Sequence, residues 1–186
     1  MKQMFIFLAE GFEEVEALSV VDTLRRAGMN IQMVSITGKK TVTGAHGITV
    51  TMDALFHEIN FNNADGLILP GGMPGTDHLQ QFLPLEMLLR DFYAKKKMIA
   101  AICAAPKILG NLGLLEGRKA TCYPGVEETL KGATISNQTV VVDDFIITGR
   151  GVGVALDFAL AIVKYIKGSE MASTLREKMV LPKNAC

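Results

Sequence analysis

A cysteine in "AAICAAP", an acid in "GFEEVEA" and two glycines in "LPGGMPG" are the residues of this chain whose types could combine into a covalent catalyst. Cys103 ends the apolar run that begins at Met98 and precedes Ala104-Ala105-Pro106, where a strand should break into a helix. A side chain at such an elbow is lifted out of the sheet, as the nucleophiles of α/β hydrolases are. Ala101, Ala104 and Ala105 leave room for the turn, and the start of the following helix favours thiolate. The same stretch suits a buried, inert cysteine equally well. Glu13 and Glu14 fit the positive end of a helix. Glu16 is flanked by Ala17 and Leu18, with Ser19 and Val20 one turn on, so its carboxyl can face the sheet. There, partly desolvated, its pKa would rise and it could exchange protons near neutrality. Gly71 and Gly72 can turn backbone N–H groups toward an anion, or simply make a tight turn.

These residues need elements to hold them. "MFIFLA" (4–9), "NIQMVSIT" (30–37), "ADGLILPGG" (64–72) and "MIAAIC" (98–103) read as strands, the continuous apolar ones as strands covered on both faces. Between them lie helical patterns. Val15, Leu18, Val21 and Leu24 recur at helical spacing before Gly28, and helices are expected at 84–97, 105–113, 153–168 and 169–181. The stretch 38–53 reads as short β pieces, 118–123 as a strand, and 138–149 as a hairpin turning at Asp143-Asp144. Alternating strands and helices argue a doubly wound α/β sandwich with a mainly parallel sheet. In such sheets ligands bind at the carboxyl ends of the strands, where all three motifs fall.

Composition narrows the function. The 186 residues suit one domain, 1–186, with 182–186 as a loose tail. Lys plus Arg equals Asp plus Glu at 19 each, so nucleic-acid binding loses its usual electrostatic support. No apolar run reaches the ~18 residues that would cross a membrane, and the N-terminus reads as a first strand rather than a signal peptide. Three cysteines (Cys103, Cys122, Cys186) without a CxxC pair argue against a disulfide framework and for a reducing cytoplasm. Cys122 reads as structural and Cys186 as an accidental terminal thiol. "GRGVGVAL" lacks the third glycine of a dinucleotide loop, with Leu156 in its place, and no GxxxxGK[ST] occurs.

Together "GFEEVEA", "LPGGMPG", "AAICAAP" and "TGRGVGVALDFALAIV" resemble the ThiJ/PfpI family, most of all the branch of the Parkinson-disease-associated deglycase and its bacterial homologues. The resemblance covers about residues 3–181, with the four motifs in the family's order. It implies a flavodoxin-like three-layer sandwich of the class I glutamine amidotransferase type, a homodimer, and no cofactor or metal. It makes Cys103 the nucleophile and Glu16 the carboxyl bonded to its sulfur. Gly72 and Ala104 would supply backbone N–H groups, with Gly71 shaping the loop, and His46 falls near a dimer-proximal pocket.

Many members carry a His on the loop after the "ATC"-like strand, where this chain has Tyr123, so a Cys–His dyad is not available from that position. His57 and His78 lie in polar, loop-like surroundings and read as surface imidazoles. No His is followed two positions on by Glu, as an amidotransferase triad needs, and Ala104 stands where the protease branch places its His. The implied activity is addition of Cys103 to a reactive dicarbonyl or an early glycation adduct, with Glu16 moving the proton. The alternatives are a redox sensor or chaperone-like protein using oxidation of Cys103 and, less favoured, an intracellular protease or amidase.

Overall fold

The computed structural model describes residues 2–182; Cys186 and the tail from 183 lie outside the described residues. In chain order the elements begin with β1 (Gln3–Leu8), α1 (Glu14–Arg26), β2 (Asn30–Ser35), β3 (Thr41–Thr43), β4 (Thr49–Thr51) and β5 (Ala54–Leu55). Next come β6 (Gly66–Leu69), α2 (Gly75–Gln81), α3 (Leu83–Ala94), β7 (Met98–Ile102) and α4 (Pro106–Asn111). The chain continues through β8 (Lys119–Ala120), β9 (Thr134–Ile135), β10 (Val140–Asp143), β11 (Ile146–Gly149), α5 (Ala155–Lys167) and α6 (Ser169–Lys178).

Seven strands form the main sheet in the order β10-β11-β7-β6-β1-β2-β5, parallel except for the β10–β11 hairpin. Period-two alternation splits β1 between two cores. Met4, Ile6 and Leu8 pack with α1 and α5, while Phe5, Phe7 and Ala9 pack with α2, α3 and α4. A strand covered on both faces has no polar side to show, which is why "MFIFLA" is apolar throughout. The result is a three-layer, flavodoxin-like α/β sandwich.

Several local expectations needed correction. Val15 and Leu18 are exposed, and α1 instead buries Ala17, Val20, Val21 and Leu24 together with Glu14 and Glu16. Glu16 faces inward as its neighbours suggested, but the apolar positions alone could not show that Glu14 joins it there. The strand expected over 118–123 is only β8, which pairs with β9 in a separate two-stranded ribbon. The short helix α2 was not foreseen, because "GTDHLQQ" carries too little apolar periodicity. The hairpin turns at Asp144-Phe145, one residue beyond the expected place, with Asp143 still paired to Ile146.

Candidate active site

β7, β6 and β1 are adjacent in the sheet, so the residues that follow them converge at one edge. Cys103 follows β7. Its φ is +64°, a left-handed conformation that costs a non-glycine residue about 1–2 kcal/mol. Two backbone bonds hold the elbow: the Cys103 N–H donates to the Gly149 carbonyl at 2.9 Å, and its carbonyl accepts from the Tyr123 N–H at 2.8 Å. Strain held this way keeps the thiol half-buried at the floor of a cleft instead of inside the core.

Glu16 comes from the first turn of α1. Glu13 caps that helix, its Oε2 accepting from the Glu16 N–H at 2.6 Å, while the Glu13 N–H donates to the Gly71 carbonyl at 2.9 Å. The helix start is thereby tied to the β6 loop. The Glu16 side chain is fully buried. Its Oε2 accepts from the Gly71 N–H at 2.8 Å, and its Oε1 has no hydrogen-bond partner. Gly71 sits between acid and thiol: a Cβ there would lie 2.9 Å from Glu16 Oε2 and 3.1 Å from Cys103 Sγ. Gly72, at φ +91°, packs so tightly on the β1–α1 loop that a Cβ would fall 2.3 Å from the Glu13 nitrogen.

Burial pushes the Glu16 carboxyl up to about 7, against the pull of the Gly71 N–H. For Cys103, burial and then the neighbouring Glu16 carboxylate push the thiol up to about 12. The backbone N–H groups of Ala104 and Gly72 act on the sulfur in the opposite sense and are outweighed. Burial and the neighbouring carboxyl oppose the pull of the helix start on this thiol, and two acids in contact do not both ionise. With Glu16 ionised, Cys103 is a thiol whose proton has a carboxylate beside it, and the two N–H groups are placed for negative charge arriving at the reacting centre.

The cleft over Cys103 is about 470 Å³. Glu13, Gly72, Met73, Ala104, Lys107, Tyr123, Val126 and Thr129 line it. His46 is not among the residues that line this cleft. It lies beside the helix start, its Nδ1 2.9 Å from Glu14 Oε2 and its N–H donating to Glu14 Oε1 at 2.8 Å. That pairing raises the His46 pKa. Glu14 is buried yet has its pKa lowered, because His46 and the N–H groups of His46 and Ile48 satisfy its charge against the cost of burial. Glu13, Glu14 and His46 bring three metal-competent atoms within 4.8 Å of one another, but Glu14 already spends both oxygens in this clasp. His57 and His78 are exposed, as expected.

Sequence reasoning missed Lys107, one turn beyond Cys103 and ion-paired to Asp77, and Arg150, at the end of β11. A smaller cleft of about 240 Å³, lined by Tyr123, Pro124, Arg150 and Gly151 to Val154, adjoins the first and shares Tyr123 with it. Only the β7–β11 adjacency, which is non-sequential, brings Arg150 to Cys103.

A doubly wound sheet with a strained cysteine elbow, a buried acid and a glycine loop at adjacent strand ends defines a class of cysteine-bearing sandwich proteins. The DJ-1/PfpI family matches residues 2–165, and the chain belongs to that family. It is 36% identical over 185 residues to protein DJ-1 homolog B of Arabidopsis thaliana, covering 98% of this chain but 42% of that protein, so it spans less than half of that relative's length. It is 30% identical over 167 residues to a protein named deglycase from Pyrococcus abyssi, covering 89% of this chain and 99% of that protein. Among solved structures, oxidized Toxoplasma gondii DJ-1 superposes with a TM-score of 0.93 at 31% identity, covering 97% of this chain and 99% of that one. No helix among the described residues is long and apolar enough to cross a membrane.

Proposed function

We propose that the protein is a cofactor-independent, cysteine-dependent enzyme acting on reactive dicarbonyls or their early glycation adducts. The observation that carries this reading is the fully buried Glu16, with one unpartnered oxygen, set against a strained Cys103. The relative named deglycase supports it. Cys103 Sγ adds to the aldehyde carbon of an α-oxoaldehyde while its proton passes to Glu16, and the carbonyl π electrons move onto oxygen. Backbone N–H groups of Gly72 and Ala104 stabilise that oxyanion. Protonated, it is the hydroxyl of a hemithioacetal. Glu16 then takes the proton from the former aldehyde carbon, giving an enediol as the adjacent carbonyl oxygen gains a proton, and returns it to the adjacent carbon as the first hydroxyl gives up its own, which leaves a thioester of a 2-hydroxy acid. Water cleaves the C–S bond, releasing the hydroxy acid and the free thiol. With a hemiaminal adduct, formation of the S–C bond accompanies breaking of the C–N bond, and the thiol proton leaves with the amine.

The test is conversion of methylglyoxal to lactate. Cys103→Ser should abolish it; undiminished turnover in that variant rejects the reading. A second reading, oxidation of Cys103 as a stress signal, draws on the half-exposed sulfur and on the oxidized state named for the Toxoplasma relative. Addition of two oxygens at Cys103 under mild peroxide, without dicarbonyl turnover, favours it. Protease action is less supported, since no histidine lines the cleft.

We further propose a homodimer. Exposed Val15 and Leu18 lie on one face of α1, and exposed Ile48 is tied to the same helix start through Glu14. The free thiols of Cys103 and Cys122 support a reducing, cytoplasmic setting.

A further inference from the structure

Six arginines occur in the sequence. Arg25, Arg26, Arg90, Arg118 and Arg176 each pair with a carboxylate. Arg150 alone has no carboxylate within 4 Å among the described residues. Its side chain makes one long hydrogen bond, 3.4 Å to the Asn137 carbonyl. Glu127, whose charge also reaches Cys122, is engaged by the Gly125 N–H at 2.6 Å instead. An uncommitted guanidinium is unusual in a molecule that pairs its other arginines, and its place is not arbitrary. Gly149 is the register partner of Ile102, so Arg150 and Cys103 occupy the next positions on neighbouring strands, which run about 4.8 Å apart. Arg150 lines the smaller cleft, and Tyr123 is common to that cleft and the one above Cys103.

We infer that Arg150 anchors a carboxylate on the substrate, so that the preferred substrates are dicarbonyl adducts of amino acids and small carboxylate-bearing thiols more than the bare dicarbonyl. The reacting carbon would lie over Cys103 and the carboxylate past the Tyr123 ring, where the planar guanidinium can bind it with two parallel N–H donors. This rests on the reading of Cys103 as the nucleophile, but recognition can be measured without turnover.

The probe is a matched pair of thiol reagents, 3-maleimidopropionate and the neutral N-ethylmaleimide, with modification at Cys103 followed by peptide mass spectrometry. The sulfur adds to the same double bond in both, so the ratio of rates isolates the carboxylate. Arg150→Met should lower the acid-to-neutral ratio about 10-fold or more, the range for hydrogen bonds to a charged group, and Arg150→Lys should keep part of it. An unchanged ratio in Arg150→Met overturns the inference. So does equal slowing of both reagents, which would mean that Arg150 only steadies the hairpin through Asn137. Turnover gives a second readout. Arg150→Met should raise KM for the methylglyoxal adduct of N-acetylcysteine and leave KM for the adduct of its amide unchanged. If no dicarbonyl is turned over yet the maleimide ratio depends on Arg150, carboxylate recognition stands and the dicarbonyl reading falls.

Discussion

Glu16 is the residue at which the proposed chemistry and the stability of the fold meet. Its carboxyl titrates near 4.5 in an unfolded chain and near 7 in the fold, so the native state binds this proton more tightly. Its stabilising effect is therefore full below about 4.5 and is lost as pH rises through about 7. At 1.36 kcal/mol per unit, the loss is about 3 kcal/mol. Glu16→Gln keeps an acceptor for the Gly71 N–H and removes the charge. Urea denaturation should find that variant more stable than wild type at about pH 8 and nearly equal at about pH 4. The same substitution should cut turnover by about 100-fold or more, because it removes the proton acceptor. In the wild type, kcat/KM should rise as pH passes through about 7, where Glu16 ionises, and Glu16→Gln should lose that limb. Sequence spacing made Glu16 a candidate. Its orphan oxygen and its match to Cys103 required the approach of α1, which ends at Arg26, to β7, which begins only at Met98.

At the level of elements, the site depends on three loops at adjacent strand ends meeting with almost no free space. Gly72→Ala adds a Cβ that would meet the backbone of Phe12 and Glu13 in a conformation unfavourable to any side chain. It should cost more than about 2 kcal/mol by chemical denaturation and should displace the Gly72 N–H from the sulfur. The two glycines after β6 were legible as a turn that could donate N–H groups. The reason both must be glycine was not, since it lies in the opposing loop. Much the same holds for α1. Its length followed from spacing and Gly28, but the inward face was misjudged because Glu14 is buried, compensated by an ion pair and two backbone donors contributed by the β3–β4 hairpin.

For the molecule as a whole, two cores flank one sheet, and Phe158 of α5 is fully buried in the core that supports α1. Phe158→Ala should destabilise by about 3–5 kcal/mol. It should also loosen the Glu16 side of the site, read as lower turnover with Cys103 still modifiable. The proposed dimer predicts a solution mass twice the chain's 20.1 kDa by light scattering. Replacing Val15 and Leu18 together with Glu should return the mass to that of one chain; an unchanged dimer would place the interface elsewhere.

The sequence by itself determined the alternation of apolar strands and amphipathic helices, the parallel sandwich that follows from it, and the residue types waiting at three strand ends. Those are local matters of periodicity and turn chemistry, written in contiguous residues. Tertiary structure alone decided which strand ends are neighbours, and hence that Glu16 reaches Cys103, that His46 pairs with Glu14, and that Arg150 stands beside Cys103. It also decided how strongly burial and charge act on the Glu16 carboxyl and the Cys103 thiol. A pKa is set by burial and by the charges nearby, and both come from parts of the chain far apart in sequence.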